Sequence, residues 1–247
     1  MTTIHYLDAR GPDGMMIFAI GDVHGRLDLL EKLLGRIDAR IEWKQPDDWR
    51  IILLGDYVDR GPNSKGVLDL IIQRAAADSR FIALAGNHDI GMLDFLQAPS
   101  PQTLFAQYGG EDTAESYGVF ADLVDHEGTI QAADFLRQAV PSAHIEFLAT
   151  MPRSVSFGDF FFCHAGIRPG VALDRQKADD LIWIRNEFLR HTALHPKVIV
   201  HGHTPGDEPE VLPNRVNVDT YAYRKGVLTA LVIDGAEKSF LTAESAT

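Results

Sequence analysis

The chain has 247 residues, 45% of them apolar, a formal net charge of -12 and one cysteine, Cys163. That length suits one large domain or two small ones with a sizeable core, the acidic balance disfavours nucleic acid and anionic lipid, and a lone cysteine excludes an intrachain disulfide or a cysteine-rich zinc site. The opening MTTIHYLDARGPDG has no basic n-region or apolar h-region, and no apolar run approaches the ~18 residues of a membrane span, so a cytoplasmic protein without membrane or nucleic-acid partners is expected.

One pattern recurs along the chain: a short apolar strand runs straight into a polar loop. MMIFAI leads to GDVHG, Gly21–Gly25, after which Leu27, Leu30, Leu33, Leu34 and Ile37 recur near helical spacing. IILL leads to GDYVDRG, Gly55–Gly61, and Ser64 is the expected N-cap of a second helix carrying Val67, Leu68, Ile71, Ile72 and Ala75. FIALA leads to GNHD, Gly86–Asp89. The rhythm breaks over residues 91–156, where MLDFL, IQAADFLRQAV and AHIEFLATM alternate with Pro- and Gly-rich pieces. This reads as a helical insertion covering one side of a site, within a single catalytic domain of residues 1–247. FFFC then leads to HAG, His164–Gly166, and KVIV to HGHT, His201–Thr204. VNVD and VLTALVID read as two more strands, expected in a second sheet. Strand, loop, helix, strand is the βαβ unit, and continuous apolar strands fit sheets buried on both faces. The expected fold is α/β, a β-sandwich with helices on its outer faces.

Ligands of open α/β sheets sit outside the carboxyl ends of the strands. The five polar loops lie at such ends and carry Asp22, His24, Asp56, Asn87, His164 and His203. Singly, each is an ordinary turn former or solvated histidine; five strand-end loops each offering an oxygen or imidazole donor are a metal site. The set lacks thiolate and suits manganese, iron or zinc. Six ligands exceed the three protein groups of an ordinary catalytic zinc and match two divalent metal ions sharing a carboxylate. His5, His126, His144, His191 and His195 lack this context and read as surface or structural. His201 would share a face with His203 if the strand continued, which makes it a support rather than a ligand.

These blocks, with HAGIRPG, LIWIRNEFL and VHGHTP…PNRVNVDT, resemble the ordered signatures of the phosphoprotein phosphatase family of metallophosphoesterases, especially compact bacterial serine/threonine phosphatases, a group that includes the Rhizobium-type branch. The resemblance runs from Gly21 to Thr204 and implies the calcineurin-like β-sandwich flanked by helices. It implies Asp22 and His24 on one metal, Asp56 bridging, and Asn87, His164 and His203 on the second. It also implies Arg60 and Arg185 as phosphate clamps with Asn87 beside them, His88 as general acid, and Asp59 as its orienter. Two metals, manganese foremost, would stabilise both oxygens of an in-line displacement by a hydroxide held between them. A guanidinium matches two phosphate oxygens and stays charged, and a His–Asp pair holds an imidazole ready to protonate a leaving alkoxide.

The expected partner is therefore a phosphorylated protein or peptide, with inorganic phosphate as product. Asp89, a shorter carboxylate, stands where eukaryotic members commonly carry glutamate, and Pro205 where nuclease-like and phosphodiesterase-like relatives often carry histidine, which leans the chain towards hydrolysis of phosphomonoesters. Tyr221 stands where similar bacterial members carry glycine, which puts a bulky ring near the expected edge of the site and bears on substrate access; the alternative, commoner for a lone tyrosine, is that it packs in the core. A symmetrical dinucleoside tetraphosphate hydrolase shares the early blocks, but it would want a basic path for the second nucleotide, and residues 91–151 hold Arg137 as their one arginine or lysine. A non-catalytic phosphate-binding scaffold is the reading of another class, and the presence of Arg60 and His88 argues against it.

Overall fold

A computed structural model describes residues 2–120, 122–123 and 125–245. Among the described residues, ten strands form two five-stranded sheets. The first contains β1 (Met15–Ile20), β2 (Asp48–Leu53) and β3 (Phe81–Ala83), all parallel. The second contains β4 (Ser154–Phe157), β5 (Phe160–Cys163), β6 (Val198–His201), β7 (Glu210–Val211) and β8 (Arg215–Asn217), of which β5, β6 and β8 run parallel. The last two strands, β9 (Val227–Asp234) and β10 (Glu237–Glu244), return to the first sheet, where β9 lies antiparallel to β1. VLTALVID is thus a strand of the first sheet, against expectation. Its eight residues are buried along nearly their whole length between β1 and β10, a pattern that carries no mark of the partner sheet.

The helices are α1 (Leu27–Lys44), α2 (Ser64–Ala77), α3 (Asn87–Gln97), α4 (Leu104–Gln107), α5 (Gly110–Ser116), α6 (His126–Ala139), α7 (Ser142–Thr150), α8 (Ala178–Trp183), α9 (Asn186–Leu189) and α10 (Ala222–Lys225). None is long and apolar enough to cross a membrane.

The two-residue period of a strand divides the core. Ile17 and Ala19 face Phe160, Phe162, Val198 and Val200 between the sheets, while Met16, Phe18 and Ile20 face the leucines of α1 and the aliphatics of α2. The outer face of the second sheet buries Phe161, Cys163 and Ile199 against Leu181, Ile184 and Phe188. The parallel strands carry apolar residues on both faces for this reason, and their carboxyl ends gather along one edge of the sandwich. α2 is capped by Asn63, whose side chain accepts from the Gly66 N–H, rather than by Ser64. Ser64 instead turns its hydroxyl inward to the Asp59 N–H and Thr113.

Candidate metal centre

The loops after β1, β2, β3, β5 and β6 meet at that edge. His24 donates from Nδ1 to the Val58 carbonyl at 2.8 Å, which leaves Nε2 facing Asp56 Oδ2 at 3.5 Å. His164 donates from Nδ1 to the Leu54 carbonyl at 3.0 Å, and its Nε2 stands 3.4 Å from Asp56 Oδ1, 2.8 Å from Asn87 Oδ1 and 3.1 Å from His203 Nδ1. The two oxygens of Asp56 therefore face two different histidine groups. Two clusters result, His24–Asp56–His88 and Asp56–His164–His203, each with donor atoms within 4.8 Å of one another. All are buried. Asp22 lies beside them and accepts from the His203 N–H at 3.1 Å.

The electrostatics suit cations. Burial pushes the His24 imidazole down to about 3 and His203 to about 2, and lowers His164 as well, so these rings are neutral and offer lone pairs. Burial opposes ionisation of Asp56, but His164, His88 and His24 outweigh it and hold its carboxyl below the usual range. Burial, then Asp219 and Asp56, push Asp22 well up. Oxygen and neutral imidazole donors around a shared carboxylate form a binuclear divalent-metal site.

Around this centre the structure places the other predicted residues. His88 Nδ1 lies 2.7 Å from Asp59 Oδ2, and its Nε2 lies 2.9 Å from Arg60 Nη2. Burial lowers His88, but Asp56 and the Asp59 carboxylate reverse this and leave its pKa raised. Asp59 is fully buried; Thr113 Oγ1 donates to its Oδ1 at 2.9 Å. Arg185 donates from Nε to His203 Nε2 at 2.9 Å. Asp22, Asp56, Arg60, Asn87, His88, Arg185 and His203 all line one cavity of about 230 Å³, rimmed by Tyr108, Tyr221 and Tyr223. Tyr221 is thus a wall of the cavity, not a core residue, and its φ of 64° explains why glycine would suit that position.

The backbone here is unusual. His24, Asp56, Asp59, Arg60, His203 and Tyr221 all have φ between +44° and +72°, the left-handed region that costs a residue with a side chain about 1–2 kcal/mol. This corrects the expected common face of His201 and His203, because β6 ends at His201 and the chain turns left-handed at His203. His201 packs edge-on against Phe188 and accepts from Arg215 Nη1 at 3.2 Å, away from the donors. His144 bridges Tyr117 and Asp69, and His195 stacks on His191; both are structural.

Two carboxylates were not anticipated as parts of the site. Asp219 follows β8, is buried, and is pushed up to about 7 by burial with Asp56 adding to it. Its signal was present, since NVDT is a sixth strand running into a polar loop. Asp89 sits in the first turn of α3 and accepts the N–H groups of Asp56, Tyr57 and Gly86. It ties the loops after β2 and β3 together. Gly86 and Gly202 clear the space for this arrangement: a Cβ at either would strike Asp56 Oδ1 or Asp22 Oδ1, respectively.

The family model of calcineurin-like phosphoesterases matches residues 15–232, and the chain belongs to that family. The chain is 26% identical over 237 residues to the bis(5'-nucleosyl)-tetraphosphatase PrpE [asymmetrical] of Anoxybacillus flavithermus, covering 88% of this chain and 90% of that protein. It is 25% identical over 250 residues to the protein of the same name from Oceanobacillus iheyensis, covering 94% and 93%. Among solved structures, one provisionally described as a diadenosine tetraphosphatase superposes with a TM-score of 0.65 at 19% identity, over 94% of this chain and 95% of that one. The cold-active protein-tyrosine phosphatase of a psychrophilic Shewanella superposes at 0.56 with 16% identity, over 99% and 86%. Similarity at that level shows the shared fold alone. The repeated match to dinucleotide tetraphosphatases corrects the expectation of a phosphorylated protein or peptide as partner.

Proposed function

We propose that this calcineurin-like phosphoesterase hydrolyses a bis(5'-nucleosyl) tetraphosphate off-centre, releasing a nucleoside triphosphate and a nucleoside monophosphate. The observation that carries this reading is the end-to-end match to relatives of that name, which leaves little of either chain outside the alignment. The cavity supports it chemically. Guanidinium groups from two sides, Arg60 and Arg185, suit a chain of phosphates, and the tyrosine rim offers aromatic faces beside them.

In this reading Asp22 and His24 would hold one cation, Asn87, His164 and His203 the other, and Asp56 would serve both. Two divalent cations supply Lewis-acid polarisation of the phosphoryl oxygens and a stronger nucleophile from water near neutral pH. Arg60 and Arg185 bind phosphate oxygens and orient the chain for in-line displacement. His88 protonates the departing oxygen, and Asp59 holds its ring by the Nδ1 contact. The departing phosphate has a second pKa near 6, far below an alkoxide's, so His88 matters less for this substrate than for an alkyl or aryl ester.

The test is product analysis with diadenosine tetraphosphate and manganese-loaded protein. Equal amounts of ATP and AMP are expected, abolished by chelator. Two molecules of ADP would replace the reading with symmetrical cleavage, and absence of turnover would overturn it.

A further inference from the structure

At about 230 Å³ the metal cavity lies below the ~300–1,000 Å³ typical of sites that engulf a drug-sized ligand. It accommodates phosphates, and the nucleosides of a dinucleotide must lie beyond its rim. Tyr223 belongs to that rim and also to a second cavity of about 740 Å³, walled by the first turns of α1 and by the turn at Pro62 and Asn63. The two spaces therefore share one side chain. On its metal side the Tyr223 ring lies 4.9 Å from the Arg60 guanidinium and meets His24 edge-on at 5.2 Å. Arg26 fixes the ring's carrier: its Nη1 donates to the Ala222 carbonyl at 2.8 Å, which ties α10 to the start of α1.

The charge of the second cavity decides what it takes. Asp28 and Glu31 line it with a single cation, Arg26, which already grips Asp28 through Nε and Nη2. Such a pocket repels a further phosphate. It fits an uncharged base and a ribose diol, whose hydroxyls can donate to carboxylate oxygens as they do to the acidic residue of dinucleotide-binding folds. We infer that this cavity binds one nucleoside of the dinucleotide, with the base against Tyr223 and the ribose hydroxyls donating to Glu31 and Asp28. The inference rests on the proposed dinucleotide substrate. It also answers the lack of a basic path for a second nucleotide: beyond the phosphates, no basic path is needed.

Steady-state kinetics of the metal-loaded, full-length protein test it. Base–aromatic stacking worth ~1–3 kcal/mol corresponds to roughly 5- to 150-fold, so Tyr223→Ala should raise the KM for diadenosine tetraphosphate about tenfold. Tyr223→Trp should restore most of the loss, and the loss on p-nitrophenyl phosphate, which has no nucleoside, should be smaller. Glu31 is exposed and its replacement spares the fold. The wild type should prefer the ribose dinucleotide to its 2'-deoxy analogue, and Glu31→Gln should erase much of that preference. Turnover of the dinucleotide with KM and ribose preference unchanged in both variants would overturn the nucleoside site while leaving the function standing. Absence of wild-type turnover would overturn the function and this inference with it.

Discussion

Asp89 should prove to be the brace of the metal centre. Its Oδ2 accepts the Asp56 N–H at 2.9 Å and the Gly86 N–H at 2.8 Å, and its Oδ1 accepts the Tyr57 N–H at 2.8 Å, all without exposure to water. Burial and then Asp56 push its carboxyl up to about 7, so the comparison belongs at pH 8, where it is ionised. Asp89→Asn keeps the volume but supplies one acceptor oxygen. If that oxygen takes the Oδ2 position, two bonds survive and the amide NH2 faces the Tyr57 N–H, donor against donor. Stranding one buried donor costs about 1–3 kcal/mol. For a chain of this size each kcal/mol lowers Tm by about 2–4 °C, so a fall of several degrees is expected. Asp89→Ala strands all three donors and should cost at least about 3 kcal/mol. Thermal unfolding in chelator separates this loss from stabilisation by bound metal. Elemental analysis should show reduced metal content, because Asp89 sets the position of Asp56. An Asn variant with unchanged Tm and full metal content would refute the brace.

Three further outcomes are expected. Asp56→Asn removes the shared ligand, so elemental analysis should find fewer than two metals per chain; two tightly held metals would exclude the bridging role. His88→Asn should keep both metals and lose about 10²–10⁴-fold on phenyl phosphate, whose leaving group resembles tyrosine with a pKa of ≈ 10, and less on p-nitrophenyl phosphate. Adding Asp59→Asn should then cost little more, while loss of metal in His88→Asn would make this histidine a ligand instead. Burial pushes the His195 imidazole down to about 4 from an ordinary 6.5, so below pH 6.5 the unfolded chain takes up a proton that the folded one refuses. The stability that neutral His195 contributes should therefore be lost between pH 6.5 and 4, and His195→Phe should remove that component of the pH dependence; urea titrations showing an unchanged slope would refute the assignment.

The strand-end donors were legible because each sits directly after an apolar run, a local pattern that survives without knowledge of partners. Pairing was not legible in the same way. β9 is apolar on both faces and could have joined either sheet, and its place beside β1 rests on contacts more than two hundred residues apart in sequence. Tyr221 is ambiguous in the sequence between site edge and core, because a lone tyrosine is usually packed inside and nothing in its neighbours signals a left-handed backbone. His201 and His203 were paired by strand periodicity that fails once His203 turns left-handed. Asp89 shows in the sequence only as a shorter glutamate, since its role lies in three backbone N–H groups, two of them on a loop more than thirty residues earlier. The substrate was the least legible feature. Clamps and ligands report on phosphate, and the groups that meet the rest of a substrate stand on other loops.

The six left-handed residues that frame the cavity have an evolutionary consequence. At each of those positions glycine would relieve the backbone while deleting the side chain. Fitness for folding and fitness for turnover therefore pull His24, Asp56, Asp59, Arg60, His203 and Tyr221 in opposite directions. A population selected only for persistence of the folded chain should drift at these sites first, collecting glycine and asparagine there while the core stays constant. Deep sequencing of such a library would trace the outline of the site through what it loses.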